Sequence, residues 1–155
     1  MPPIEYRTTD IREIELIQPL WIQLNEYHHE KAKAFRQHYE RMTFEDRKRY
    51  FENLSLTGSL MVDLATDTTA GRYVGYCVSS LSKDHMGEIE SVFVEERFRS
   101  QGIGSALVTR ALSWLAANES ARNRVSVGDG NEGAWIFYRK FGFYPRMTVL
   151  EQKTG

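Results

Sequence analysis

Residues Val92–Leu115, VFVEERFRSQGIGSALVTRALSWL, constrain the fold more than any other stretch of this chain. An apolar strand pattern runs into a short charged turn, then into two closely spaced glycines, then into a long helix. Ile103, Leu107, Ala111, Trp114 and Leu115 recur at helical spacing and mark its buried stripe. The first N–H groups of a helix have no partner inside it, and the helix dipole places roughly half a positive charge at the same end. Such a start suits a phosphate. Gly102 and Gly104 carry no Cβ, so a diphosphate can approach the backbone closely, and Arg99 adds a rigid fork of donors. A P-loop would need Lys followed by Ser or Thr after its second glycine, whereas Ser105-Ala106 stands here. The dinucleotide fingerprint fails as well, because Leu107 occupies the place of its third small residue and the preceding strands read as antiparallel. The plain alternative is a strand-to-helix turn that merely needs glycine, and the loop by itself leaves that open.

The rest of the chain sets this loop in an α+β layer. Ile4–Thr9 alternates as a short strand, and Asp10 is placed to cap a helix through Ile14, Ile17, Trp21 and Leu24, which Pro19 should kink or split. Thr43 and Asp46 resemble a capping box opening a second helix through Tyr50 and Phe51 to Leu54. Ser59–Ala65, Arg72–Ser80 and Glu88–Val94 then alternate with a period of two and are joined by short turns, which predicts an antiparallel meander. After the long helix, Arg124–Gly128 reads as a strand, Glu132–Phe141 as a helix stopped by Gly142, and Arg146–Gln152 as a last strand. The expected architecture is a mixed, mostly antiparallel sheet with helices on both faces, in one domain over residues 1–155.

Two blocks resemble the GNAT superfamily of N-acetyltransferases. Its diphosphate motif is Arg or Gln, two residues, Gly, one residue, then Gly or Ala, and Arg99, Gly102 and Gly104 fill it after a strand ending in Val94. The second block, NEGAWIFYRKFGF, sets Asn131, Ala134, Tyr138, Gly142 and Phe143 in register. The match runs from about Leu60 to Leu150. The resemblance implies acetyl-CoA as co-substrate and an amine as acceptor, with direct transfer between them and no metal. It implies that the backbone of Val92, Phe93 and Val94 pairs with the pantetheine arm. It further implies that Arg99, Ser100, Gln101, Gly102, Ile103, Gly104 and Ser105 hold the diphosphate and that Asn131 bonds the pantetheine. The sheet should splay between the strands ending near Val94 and Gly128, with the ligand in the gap.

Amine acetylation poses two proton tasks. An alkyl ammonium with a pKa of ~10.4 is under roughly 0.1% neutral at pH 7, so a positioned base or ordered water helps free its lone pair. Glu88 and Glu90 stand two residues apart on one strand and so leave one face, where a bulge would re-aim either. Both are candidate bases. In family members with a base on the fifth strand a carboxylate stands where this chain has Ser126. Tyr138 matches the family tyrosine whose hydroxyl lies near the CoA sulfur, and is the candidate donor to the departing thiolate.

The remaining features restrict the setting. A net charge of −1 supplies no basic field to draw nucleic acid or an anionic membrane. The one cysteine, Cys77, excludes an internal disulfide and reads as a packed thiol. The opening Met1-Pro2-Pro3-Ile4-Glu5 lacks the apolar run of a signal peptide, and no stretch reaches membrane-spanning length, so a cytoplasmic location is expected. His28 and His29 are adjacent and point about 100° apart on a helix, poorly placed to share a metal. Arg47-Lys48-Arg49, with Glu45, Asp46 and Glu52 nearby, reads as a solvated face. The acceptor is expected to be a small molecule or a protein, and many members of the family form homodimers. A non-catalytic acyl-CoA sensor of the same fold and a nucleotide-phosphate binder of another fold are the rival readings.

Overall fold

The computed structural model describes residues 2–154. A five-stranded sheet is laid down in chain order: β1 (Ile4–Thr9), β2 (Gly58–Asp67), β3 (Arg72–Ser82), β4 (Met86–Val94) and β5 (Arg122–Val125). The first four strands are antiparallel to their neighbours and β5 runs parallel to β4, so the sheet is mixed. Central strands covered on both faces must be apolar on both faces, and β2 obeys this. Leu60, Val62 and Leu64 pack under α1 (Gln18–Lys31) and α3 (Phe44–Thr57), while Met61 and Ala65 pack under α4 (Ile103–Ala117).

Local signals account for most helix boundaries. Asp10 accepts the Arg12 N–H and starts a tight 3-10 segment, Ile11–Ile17, and Pro19 then sits in the first turn of α1. The chain thus divides where Pro19 demands it, because a proline lacks the N–H that a continuous helix would use. A short α2 (Arg36–Arg41) follows, and Thr43 caps α3 by accepting the Asp46 N–H at 3.1 Å. In α4, Ile103, Leu107, Val108, Ala111 and Leu115 are buried, with Trp114 partly so.

A charged residue also lies deep inside this apolar frame. Asp63 is fully buried on β2 and accepts from Arg110 Nε of α4 at 2.7 Å, from Arg110 Nη2 at 3.1 Å and from the Thr8 hydroxyl of β1 at 2.6 Å. Three elements are tied at one carboxylate, which has its partners and so tolerates burial.

The end of the chain departs from the sequence reading. β5 begins at Arg122 and stops at Val125, so Ser126–Gly128 leave the sheet. The helix predicted over Glu132–Phe141 is reduced to α5 (Ala134–Arg139). Arg146–Gln152 does not pair as a last strand. Met147, Val149 and Leu150 are 73%, 83% and 91% exposed, because no apolar face lies beneath to reward their alternation. Met1 and Gly155 lie outside the described residues.

Candidate active site

The site begins where two strands part. β4 pairs with β5 only from Met86 to Ile89, so the next residues, Glu90–Val94, have no strand on that side. Glu95 N–H bonds the Val74 carbonyl of β3, and backbone direction alternates along a strand. Phe93 is therefore turned toward β3, while Val92 and Val94 present their N–H and C=O groups to the gap. Of the three residues expected to offer backbone to a ligand, two face the opening. The splay lies between Val94 and the end of β5 at Val125, three residues before the predicted Gly128.

A bulge marks the point of parting. Val78 pairs with Ser91 and Ser79 with Ile89, so Glu90 is the unpaired residue. The extra residue reverses the alternation. Before it, Glu88 and Glu90 leave the face beneath α3; after it, Ser91 bonds the Tyr76 hydroxyl on that same face at 2.7 Å. Glu90 is held by neutral donors, the Tyr50 hydroxyl at 2.8 Å and the Ser80 hydroxyl at 2.5 Å. Glu88 accepts from Arg124 Nε at 2.6 Å. Burial pushes the Glu88 carboxyl above its usual range, and Arg124 pulls against that shift.

Beyond β4 the chain reaches the glycine loop. Ser100 takes φ 63° and Gly102 φ 82°, the second natural for glycine and the first a strained position for serine. No side chain caps α4, and its first backbone bond is Ala106 N–H to Gly102 C=O at 2.9 Å. Among the described residues, the N–H groups of Ser100, Gln101, Gly102, Ile103, Gly104 and Ser105 thus lack an internal acceptor. A Cβ at Gly102 would meet open space, and one at Gly104 would stop 3.6 Å from the Phe137 ring. Gln101 Oε1 is buried without a partner. These residues fit a diphosphate: six unpaired donors, a dipole of the right sign and no side chain in the approach.

Arg99 does something the sequence did not suggest. Its Nε donates to the Val94 carbonyl at 2.9 Å, and its guanidinium lies 5.3 Å from the centres of both the Tyr27 and Phe93 rings. The side chain lies along the open strand edge, bridging β4 to α1. Tyr27 donates to Asn131 Oδ1 at 3.3 Å, so Asn131 faces α1 and its side chain does not cap α5.

The loop carrying Asn131 is docked on the α1–α2 corner. Asp129 Oδ2 accepts the N–H groups of Lys33 and Ala34 at 2.8 and 3.0 Å. Gly130, at φ 85°, packs so closely that a Cβ would lie 1.8 Å from the Lys31 carbonyl oxygen. His28 stacks on Tyr39, and His29 pairs with Glu40 at 2.9 Å, so the two histidines diverge. Tyr138 is buried to 8% exposure among Phe137, Phe143 and the α4 core; burial raises its hydroxyl above the ordinary value. Burial also pushes the Cys77 thiol up to about 12, which makes it a poor nucleophile. Among the described residues no three His, Cys, Asp or Glu side chains assemble as a metal site, and no helix is long and apolar enough to cross a membrane.

Sequence reasoning missed Arg47. It does not lie on a solvated face: Nη2 donates to the Glu90 carbonyl at 3.0 Å, and the guanidinium covers the Tyr50 and Phe51 rings at 4.7 and 4.8 Å. No local signal separates it from its charged neighbours. Lys48 and Arg49 do keep to surface ion pairs, with Glu15 and Asp46.

The chain is similar to known proteins in sequence and in fold. The chain is 33% identical over 72 residues to an uncharacterized N-acetyltransferase of Methanocaldococcus jannaschii, covering 46% of this chain and 32% of that protein. It is 32% identical over 77 residues to a mycothiol acetyltransferase of Acidimicrobium ferrooxidans, covering 47% of this chain and 25% of that protein. The matches therefore span a third or less of these relatives' length. Among solved structures, aminoglycoside N-acetyltransferase AAC(6')-Iy in complex with CoA superposes with a TM-score of 0.71 at 15% identity, over 99% of this chain and 96% of that one, a likeness of fold. The sequence profile of the Acetyltransferase (GNAT) family matches residues 21–143, a span that takes in the parted strands, the uncapped helix and the Asn131–Phe143 block, and the chain belongs to that family.

Proposed function

We propose that this protein, acting as one domain in the cytoplasm, transfers the acetyl group of acetyl-CoA directly to a primary amine. The observation that carries the reading is the unpaired edge of β4 at Val92 and Val94 leading straight to the unpaired N–H groups before Ala106. An edge strand takes up an extended ligand with amide groups as it would another strand, and pantetheine is such a ligand. Acetyl-CoA supplies the activated acyl carbon as a thioester. Ser100–Ser105 hold the diphosphate through backbone donors, and Val92 and Val94 pair with the pantetheine arm. The Arg99 side chain gives up the Val94 carbonyl to the ligand as it does so. Asn131 completes the grip from the facing loop.

Glu90 takes the proton from the attacking ammonium, directly or through water. It stands at the opening with both oxygens oriented, whereas Glu88 is held in its pair with Arg124. Tyr138 returns a proton to the departing thiolate; burial keeps its hydroxyl protonated at neutral pH, and it makes no side-chain hydrogen bond among the described residues. The neutral amine attacks the thioester carbonyl. As the N–C bond forms and the C–S bond breaks, nitrogen sheds its second proton, which balances the one Tyr138 gives to sulfur. The first proton passes from Glu90 to solvent. The test is thiol release from acetyl-CoA across a panel of primary amines, with the acetylated product identified by mass. Tight CoA binding with no amine-dependent release would favour the sensor reading instead.

A further inference from the structure

A cleft of about 150 Å³ opens on the α3 face of the sheet beside Glu90. Cavities of that size take about six carbon atoms, as an engineered cavity that binds benzene does. Leu54, Leu81 and Met86 supply apolar wall, and Tyr50, Glu88 and Glu90 supply the polar groups. The apolar wall and the polar groups at its end suit a slender alkyl chain with a polar head.

The charges along the cleft are ordered. Glu90 is at the open end of β4, where no β5 residue opposes it. Two residues back, Glu88 is opposite Arg124, and a further two back Met86 is opposite Arg122. Side chains two apart on a strand share a face, so Arg122 projects on the same face as Arg124. Glu88 is paired with Arg124, whose side chain is still 66% exposed, and Arg122 makes no ion pair among the described residues. The cleft is thus acidic at Glu90, Glu88 balances Arg124 at its β5 side, and Arg122, just beyond the lining on the same face, adds an unmatched positive charge there. Arg47, the other cation nearby, is engaged by the Glu90 carbonyl and two rings.

We infer that the acceptor is a primary amine carrying an anionic group at its far end, the amine toward Glu90 and the anion toward Arg124 and Arg122. The inference rests on the acetyltransferase reading of the same site. Arg124 lies two residue steps along and one strand across from Glu90, about 8 Å between backbone positions, which about six single bonds span. An α-amino acid is therefore too short, and a diamine would bring its second ammonium against two guanidinium groups.

Calorimetry on the full chain with CoA present tests this without turnover. The titrants are 6-aminohexanoate, 1-aminohexane and 1,5-diaminopentane. The aminohexanoate should bind about tenfold more tightly than aminohexane, and the diamine most weakly. Arg124→Gln and Arg122→Gln should each cut that advantage by about threefold, with little change in Tm. Equal affinities, or a preference for the diamine, would overturn the inference. Thiol release with the same compounds judges the reaction separately. If the binding order holds and no thiol appears, acetyl transfer fails and the specificity stands; if thiol appears with the order reversed, the specificity alone fails.

Discussion

Replacing Gly104 by Glu should strengthen the fold and abolish the cofactor site, two effects of opposite sign from one side chain. Gly104 is the second residue of α4, and a Cβ there makes only ordinary contacts, with the Phe137 ring at 3.6 Å and a Val94 methyl at 3.9 Å. Glu forms helix better than Gly by about 0.5 kcal/mol or more, and a carboxylate in the first turn adds about 0.3–1 kcal/mol against the dipole. The sum, about 1 kcal/mol, should raise Tm by about 2–4 °C in a chain of this size. The ligand meets the reverse. A carboxylate about 5 Å from one phosphate charge costs about 3 kcal/mol at an effective dielectric of 20, and it competes for the same N–H groups. Affinity for CoA should fall by more than about 100-fold. Thermal unfolding followed by calorimetric titration reads both. Gly102→Ala is the contrasting control: at φ 82° it should lose about 1–2 kcal/mol through backbone strain. Unchanged CoA affinity in Gly104→Glu, with the fold intact, would refute the assignment of the α4 amides to the diphosphate.

Other parts of the structure make separate demands. Arg110→Ala leaves Asp63 charged and buried, and should cost about 3–5 kcal/mol in urea unfolding; a loss below about 1 kcal/mol would mean the carboxylate finds other partners. Tyr138→Phe should lower kcat at least about tenfold while leaving KM for acetyl-CoA within about twofold, and unaltered turnover would leave this ring as packing alone. His28, held below its usual value first by burial and then by Arg47, binds its proton more tightly in the unfolded chain. Its contribution is therefore complete above the unfolded value of about 6.5 and is lost as pH falls below it, so His28→Gln should flatten the decline of Tm between pH 7 and 5.

Features written in short stretches of sequence were legible. Asp10 and Thr43 announce helix starts, Pro19 divides the first helical run, and β2–β4 form where expected, although only β4 alternates in burial. The glycine loop was legible because Gly102 and Gly104 leave a specific geometric mark. Long-range ties were not. Asp129 reaches Lys33 across 96 residues, and no local pattern distinguishes it from a solvated turn residue. Arg47 was hidden in a charge run whose average behaviour is exposure, although one turn of α3 places it beneath Glu90. The error over Arg146–Gln152 has the opposite cause. Alternation there satisfies a local rule, but a strand also needs a partner edge and a face to cover.

The parting of β4 from β5 leaves main-chain donors and acceptors on display, and such an edge invites pairing with any extended polypeptide, including a neighbouring molecule. Arg99 answers that hazard, because a guanidinium laid on the Val94 carbonyl and flanked by Tyr27 and Phe93 puts a bulky charge where an intruding backbone would have to lie. On the proposed reading coenzyme would lie along this same edge, so saturation with it should suppress self-association wherever Arg99→Ala promotes it.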